Sequence, residues 1–219
     1  MKRMIKLLIK EIRLTAQPLS FIFVLFSLMA FIPGYPILCG AFFLCLGIFF
    51  TFQNAREQND ILYSALLPLR KSEAVISKYI FTIILQFAYL LFSAVFTTVR
   101  MTVLARASIY TQNAMMNANI AYLGFIFICF ALFNLLFVCG FFKTAYKLGK
   151  PFIIFSVAVF IFIGFAETLH HIKGLEFLNT PTEKSGVQAL ILAFGGIVYA
   201  AFTAFAIRHS KKSFEKIDL

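Results

Sequence analysis

QNAREQNDILYSALLPLRKSEAVISKY, residues 53–79, is the long polar interruption in the first half of a chain that is otherwise strongly apolar. It joins two runs long enough to approach the thickness of a bilayer, and it mixes Arg56, Arg70, Lys71 and Lys78 with Glu57, Asp60 and Glu73. Within it, Ile61, Leu62, Ala65 and Leu66 recur at helical spacing, which predicts a short helix over residues 60–67 with one apolar side. Pro68 stops that helix. Ser72 is placed to cap the next one, with Glu73 set favourably against its N-terminal dipole. The expectation is an amphipathic helix outside the membrane, held between two membrane helices and open to a soluble partner. Spacing alone is equally compatible with a solvated loop carrying a membrane-surface helix.

The surroundings decide that a membrane is involved. Of 219 residues, 61% are hydrophobic and 13% charged, with mean hydropathy +0.90. Soluble domains are nearer half apolar and a quarter charged. No polar region is large enough for a second core, so a single membrane domain is expected. The net charge of +11 does not point to nucleic acid, because the cations lie in short clusters beside apolar runs, where they meet anionic headgroups. Cys39, Cys45, Cys129 and Cys139 all fall inside apolar runs without zinc or CxxC spacing, and read as small buried hydrophobes.

Residues 1–17 place Lys2, Arg3, Lys6, Lys10 and Arg13 among Met4, Ile5, Leu8 and Ile12, with the apolar positions on one helical face and the cations on the other. This predicts an amphipathic helix along the inner leaflet. Charges recurring through Arg13, with no small-residue cleavage site, lead us to expect no cleavable leader. Six spans follow, at about 18–32, 37–52, 79–99, 120–142, 151–166 and 187–207, with a tail at 208–219. Crossing the hydrocarbon core takes roughly 20 residues, so the first, second and fifth must borrow flanking residues or thin the bilayer. Pro33, Gly34 and Pro36 make a tight turn, leaving the first two spans as a hairpin that either crosses or re-enters.

If the N-terminus is inside, every Lys and Arg except Arg100, Arg106, Lys173 and Lys184 falls in an inner segment. The positive-inside rule then places both termini and the 53–79 loop in the cytoplasm.

The run LYSALLPLRKSEAVISKYI resembles the signature of small permease subunits of type-2 ABC exporters, the drug, bacteriocin and amphipathic-peptide export class that includes phenol-soluble-modulin exporters. The matching residues are Leu66, Leu67, Pro68, Arg70, Lys71, Glu73, Val75, Lys78 and Tyr79. The resemblance implies an all-α protein of six transmembrane helices in the bacterial cell membrane. It implies a dimer with a second permease, identical or paralogous, driven by two copies of an ABC ATPase that carry the ATP and magnesium. The 53–79 loop would be the coupling element, with Glu57, Asp60, Ile61, Leu62, Leu66, Pro68, Arg70, Lys71 and Glu73 meeting the ATPase.

The residues themselves agree with that division of labour. A phosphate-cradling loop needs glycines at fixed offsets before Lys and Ser/Thr, and here the Gly149–Lys150 step is followed by Pro151. No cofactor bound by this chain and no catalytic group is expected. Glu167 and His171, four apart, share a helix face as metal ligands can, but adjacent histidines at a membrane exit read better as interfacial residues. The span interiors carry no Asp, Glu, Lys, Arg or His, which speaks against an ion-coupled carrier. Their polar groups are mild, and Gln86, Ser93, Thr97, Asn134 and Tyr199 are the candidate lining of a route for hydrophobic or amphipathic cargo: peptides, antibiotics or lipophilic drugs. A stand-alone carrier or channel, and a non-transporting membrane anchor, are the rival readings.

Overall fold

A bilayer leaves no water for backbone amides, so a chain this apolar must satisfy them within helices or a closed barrel. The computed structural model takes the helical solution, and describes residues 2–60, 63–64, 70–144 and 147–217. Helix α1, Lys2–Lys10, runs on through a π turn, Glu11–Thr15. Helix α2 is Pro18–Ile22, continued as a 3₁₀ helix over Phe23–Phe31. The remainder are α3 (Cys39–Glu57), α4 (Lys71–Thr102), the short α5 (Ser108–Thr111), α6 (Ile120–Leu132, extended to Thr144), α7 (Gly149–Thr168, extended to His171), a 3₁₀ turn at Glu176–Leu178 and α8 (Ser185–Glu215). No strand occurs among the described residues.

Five of these helices are long and apolar enough to cross a membrane, and the bent pair Met4–Thr15 with Pro18–Phe31 can supply a sixth crossing. The bend is 105°. Pro18 causes it: a proline drives the preceding residue out of the helical region, and Gln17 sits at φ −83°, ψ 136°. The helices outlast the apolar runs that announce them. The run at 151–166 becomes a helix from Gly149 to His171, and that at 187–207 one from Ser185 to Glu215.

The shortness of the first span has a physical answer. A 3₁₀ helix rises about 2.0 Å per residue against 1.5 Å for an α-helix. The five α residues and nine 3₁₀ residues of α2 therefore reach roughly 25 Å, most of a hydrocarbon core about 30 Å thick. The 3₁₀ stretch lies against α3, where a Cβ on Gly47 would sit 2.8 Å from the Phe23 ring and one on Gly40 would meet the carbonyl of Phe26 at 2.6 Å. Small residues let backbones come this close, the usual means of helix association in lipid.

Phenylalanine builds much of the core. Phe49 of α3 packs on Phe152 of α7 with ring centres 4.1 Å apart, and Phe52 meets Phe137 and Phe141 of α6 edge to face. Such offset and edge contacts suit the aromatic quadrupole. Helices α6 and α8 touch backbone to backbone, with Gly195 against the carbonyl of Gly124. All four cysteines are buried and free.

Candidate functional site

The polar stretch after α3 is built around the N-terminal helix. Leu7, Glu11 and Thr15, spaced by four, form the buried face of α1 and its π turn, while Ile5, Ile9 and Ile12 face outward. Glu11 is 1% exposed. Its carboxylate accepts from Lys78 Nζ at 2.8 Å, from Thr15 Oγ1 at 2.8 Å and from Ser77 Oγ at 3.2 Å. Asp60, also buried, pairs with Lys10 at 2.6 Å and with the same Lys78 at 2.8 Å. Lys10 donates further to Ser64 at 2.7 Å. Two acids and two lysines thus form a neutral, enclosed cluster joining α1, the loop and the base of α4. Buried charges persist only when paired this way.

The elbow at Pro18 is held from the same stretch. Asn54 Nδ2 donates to the carbonyl of Thr15 at 3.0 Å, satisfying an acceptor the helix end leaves open. Thr51 Oγ1 accepts from the amide of Gln17 at 3.2 Å. Burial alone would raise the Asp60 carboxyl, but the ammonium groups of Lys78 and Lys10 outweigh it and hold that group below its ordinary range.

Two sequence expectations shift. The N-cap of α4 is Arg70, not Ser72: Arg70 is extended and its amide donates to Glu73 Oε2 at 3.0 Å. The Glu73 carboxylate reaches back to the cap, so the helix starts two residues before the hydroxyl that was to start it. Asp60, expected among the residues that meet the ATPase, is turned inward by its two lysines. Glu57 and Arg70 stay exposed, Lys71 donates to the carbonyl of Ile217 at 2.6 Å, and Tyr63 stands 50% exposed. Ile61, Leu62, Leu66 and Pro68 lie outside the described residues.

A second polar constellation lies between the spans. On α4, Lys78, Thr82, Gln86, Tyr89, Ser93, Thr97 and Arg100 recur at three or four and form one buried face. At its middle, Gln86 and Asn134 pair reciprocally, Nε2 to Oδ1 at 3.0 Å and Nδ2 to Oε1 at 3.2 Å. Asn134 also donates to Thr203 at 2.9 Å, and Tyr199 donates to Gln86 Oε1 at 2.8 Å. Asn134 sits in a π turn, Phe133–Val138, whose carbonyl at Asn134 also receives Tyr79 at 3.4 Å. Gln86, Asn134 and Tyr199 therefore come together, with Thr203, which the sequence did not single out, and with Tyr79, which the sequence marked only as part of the 62–80 signature. Ser93 and Thr97 lie farther along the same face, buried and without a hydrogen-bond partner for their hydroxyls.

At the far end of the bundle, Glu167 accepts from the amide of Met116 at 2.9 Å and His170 Nε2 lies 3.1 Å from the carbonyl of Ala114. The helix tightens to 3₁₀ at Leu169–His171, which turns His170 inward and leaves His171 exposed. Glu167 and His171 accordingly do not share the face that α-helical spacing predicts.

Glu11 and Lys10 join the buried cluster with Asp60 and Lys78, although the sequence placed Lys10 only on the cationic face of an inner-leaflet helix and gave Glu11 no part. The available signal was that Glu11 is the sole acid before Glu57, set in a row otherwise basic and apolar.

Compared with known families, residues 6–211 match the model described as ABC-2 family transporter protein. No curated protein matches the chain, and no solved structure does.

Proposed function

Because this chain belongs to the ABC-2 transporter family, a family of membrane transport components that work with an ABC ATPase, we propose that it is an exporter permease whose 53–79 loop receives the ATPase stroke. The observation that carries this reading is the buried Lys10–Glu11–Asp60–Lys78 cluster, which fixes the loop at once to the N-terminal helix and to the base of α4. A loop tied so cannot be displaced without moving both. Helix α4 is 32 residues, about 48 Å at 1.5 Å per residue, so its foot and its far end lie on opposite sides of the bundle.

With both termini in the cytoplasm, the foot of α4 faces the ATPase and its polar face traverses the bilayer. An ATP-bound partner that prefers one arrangement of the loop shifts the packing of α4 against α6 and α8, since only differential binding moves a conformational equilibrium. The Gln86–Asn134–Tyr199–Thr203 network lies between those three helices, and its separation would expose a mild, uncharged polar surface. That surface suits hydrophobic or amphipathic cargo such as membrane-active peptides or lipophilic drugs, and serves bare ions poorly. The working unit is a pair of such permeases, identical or paralogous, with two ATPase subunits that hold ATP and magnesium.

Docking would rest on apolar anchors, Leu62 and Leu66 with Tyr63, and on exposed Glu57 and Arg70 for orientation. Co-purification of the ATPase with the wild type and with Leu62→Asp/Leu66→Asp tests it. The wild type should retain the ATPase and the double variant should lose it while still inserting in the membrane. Retention by both would remove the loop from the docking surface.

A further inference from the structure

The end of α4 opposite the coupling loop holds a buried cation with no carboxylate partner among the described residues. Arg100 is 5% exposed. Its Nη2 donates to Asn117 Oδ1 at 2.8 Å, and the Tyr110 ring covers one guanidinium face with its centroid 3.1 Å from Cζ. Nε and Nη1 are buried with no hydrogen-bond partner. Arg100 pairs with no carboxylate among the described residues, and its place in the last turn of α4 supplies only the partial negative charge of a helix end.

A purely structural role accounts for part of this. Arg100 pins Asn117, and Asn117 in turn pins the outer loops, donating to the carbonyls of Tyr110 and Asn179 at 3.1 Å each. That role uses one nitrogen and leaves the other two idle. A buried guanidinium with idle N–H groups is costly, and a residue free of that cost would hold the loops as well.

Arg100 lines a cavity of about 200 Å³ with Tyr110, Thr111, Asn117, Asn179 and Thr180 among others, and no Asp or Glu is among the described residues of its wall. Liquid water takes about 30 Å³ per molecule, so the space exceeds that of a single bridging water. We propose that this cavity binds a small oxyanion, a carboxylate or phosphate group, through the idle nitrogens of Arg100. Arginine is the side chain whose donors match such groups, and its charge-assisted hydrogen bonds strengthen where water is excluded. The anion is either a soluble ion or the headgroup of an acidic lipid reaching the bundle from its edge.

The test is thermal melting of the full-length protein in a neutral detergent, titrated with inorganic phosphate and separately with acetate. A ligand that binds only the folded state raises the melting temperature with the logarithm of its concentration. Wild type should show that rise. Arg100→Met, which keeps the bulk and removes the cation, should not, and neither should Ala105→Phe, which fills the cavity and leaves Arg100 in place. Melting in phosphatidylcholine nanodiscs with and without phosphatidylglycerol then identifies the source. Stabilisation by phosphatidylglycerol that Arg100→Met abolishes assigns it to lipid, and a response confined to phosphate or acetate assigns it to a soluble anion. The proposal fails if no probe stabilises the wild type, or if Arg100→Met responds equally. Should Arg100→Met not fold, an undiminished response in Ala105→Phe overturns it instead.

Discussion

Lys78→Met removes the cation shared by both buried acids. Lys78 meets Glu11 at 2.8 Å and Asp60 at 2.8 Å, with side-chain exposures of 5%, 2% and 3% for the three residues. Lys10 alone would then face two carboxylates, leaving one buried negative charge uncompensated. Breaking a buried pair from one side destabilises by about 3–5 kcal/mol. For chains of this length about 1 kcal/mol moves the melting temperature by roughly 2–4 °C, so a fall of about 6–20 °C is expected. The double variant Glu11→Gln/Lys78→Met restores neutrality and keeps the Lys10–Asp60 pair at 2.6 Å. It should recover most of the loss, a non-additivity typical of residues in one network. The assay is melting of the purified chain in detergent, with protease protection of residues 2–15 as a local readout. If Lys78→Met melts within about 2 °C of wild type, or if the double variant falls by the sum of the singles, the cluster does not clamp α1 to the loop.

Three further expectations follow from other parts of the structure. Gly195→Leu drives a side chain into the backbone of Gly124; separation of α6 from α8 should cost about 1–3 kcal/mol or more, read as a lower melting temperature. The depressed Asp60 carboxyl contributes stability that is complete above its unfolded value of about 3.9 and is lost as pH falls through the lower folded value. Protection from hydrogen exchange over residues 4–15, after correction for the intrinsic pH dependence of exchange, should therefore fall below about pH 4, and Asp60→Asn should flatten that response. After replacement of the native cysteines, Gln58→Cys and Lys147→Cys should resist an impermeant thiol reagent in intact cells while Lys173→Cys reacts. Labelling of residue 58 from outside would invert the orientation.

Apolar length and periodicity exposed the helical class and the candidate spans, because both are properties of single segments. Helix ends were less visible. The apolar run of α8 stops near residue 207, yet backbone hydrogen bonding carries the helix to Glu215. The 3₁₀ path of α2 was hidden because a run of apolar side chains looks the same at either rise. The amphipathic pattern of residues 1–17 was visible, but not that Lys10 and Glu11 turn toward Asp60 and Lys78, which lie 50 or more residues away. Spacing along one helix cannot say which partner another helix offers. The same limit applied inside the bundle: Gln86, Asn134 and Tyr199 were recognisable as interior polar groups, whereas their mutual pairing, and the part of Thr203, depended on how α4, α6 and α8 meet.

The most direct measurement is ATP-dependent movement of a fluorescent amphipathic peptide into inverted membrane vesicles containing this chain with its partner ATPase. Uptake should require ATP and both polypeptides, and Leu62→Asp/Leu66→Asp should abolish it while the chain remains in the membrane. Uptake by vesicles that lack the ATPase, or undiminished uptake with the double variant, would contradict a permease driven through the 53–79 loop.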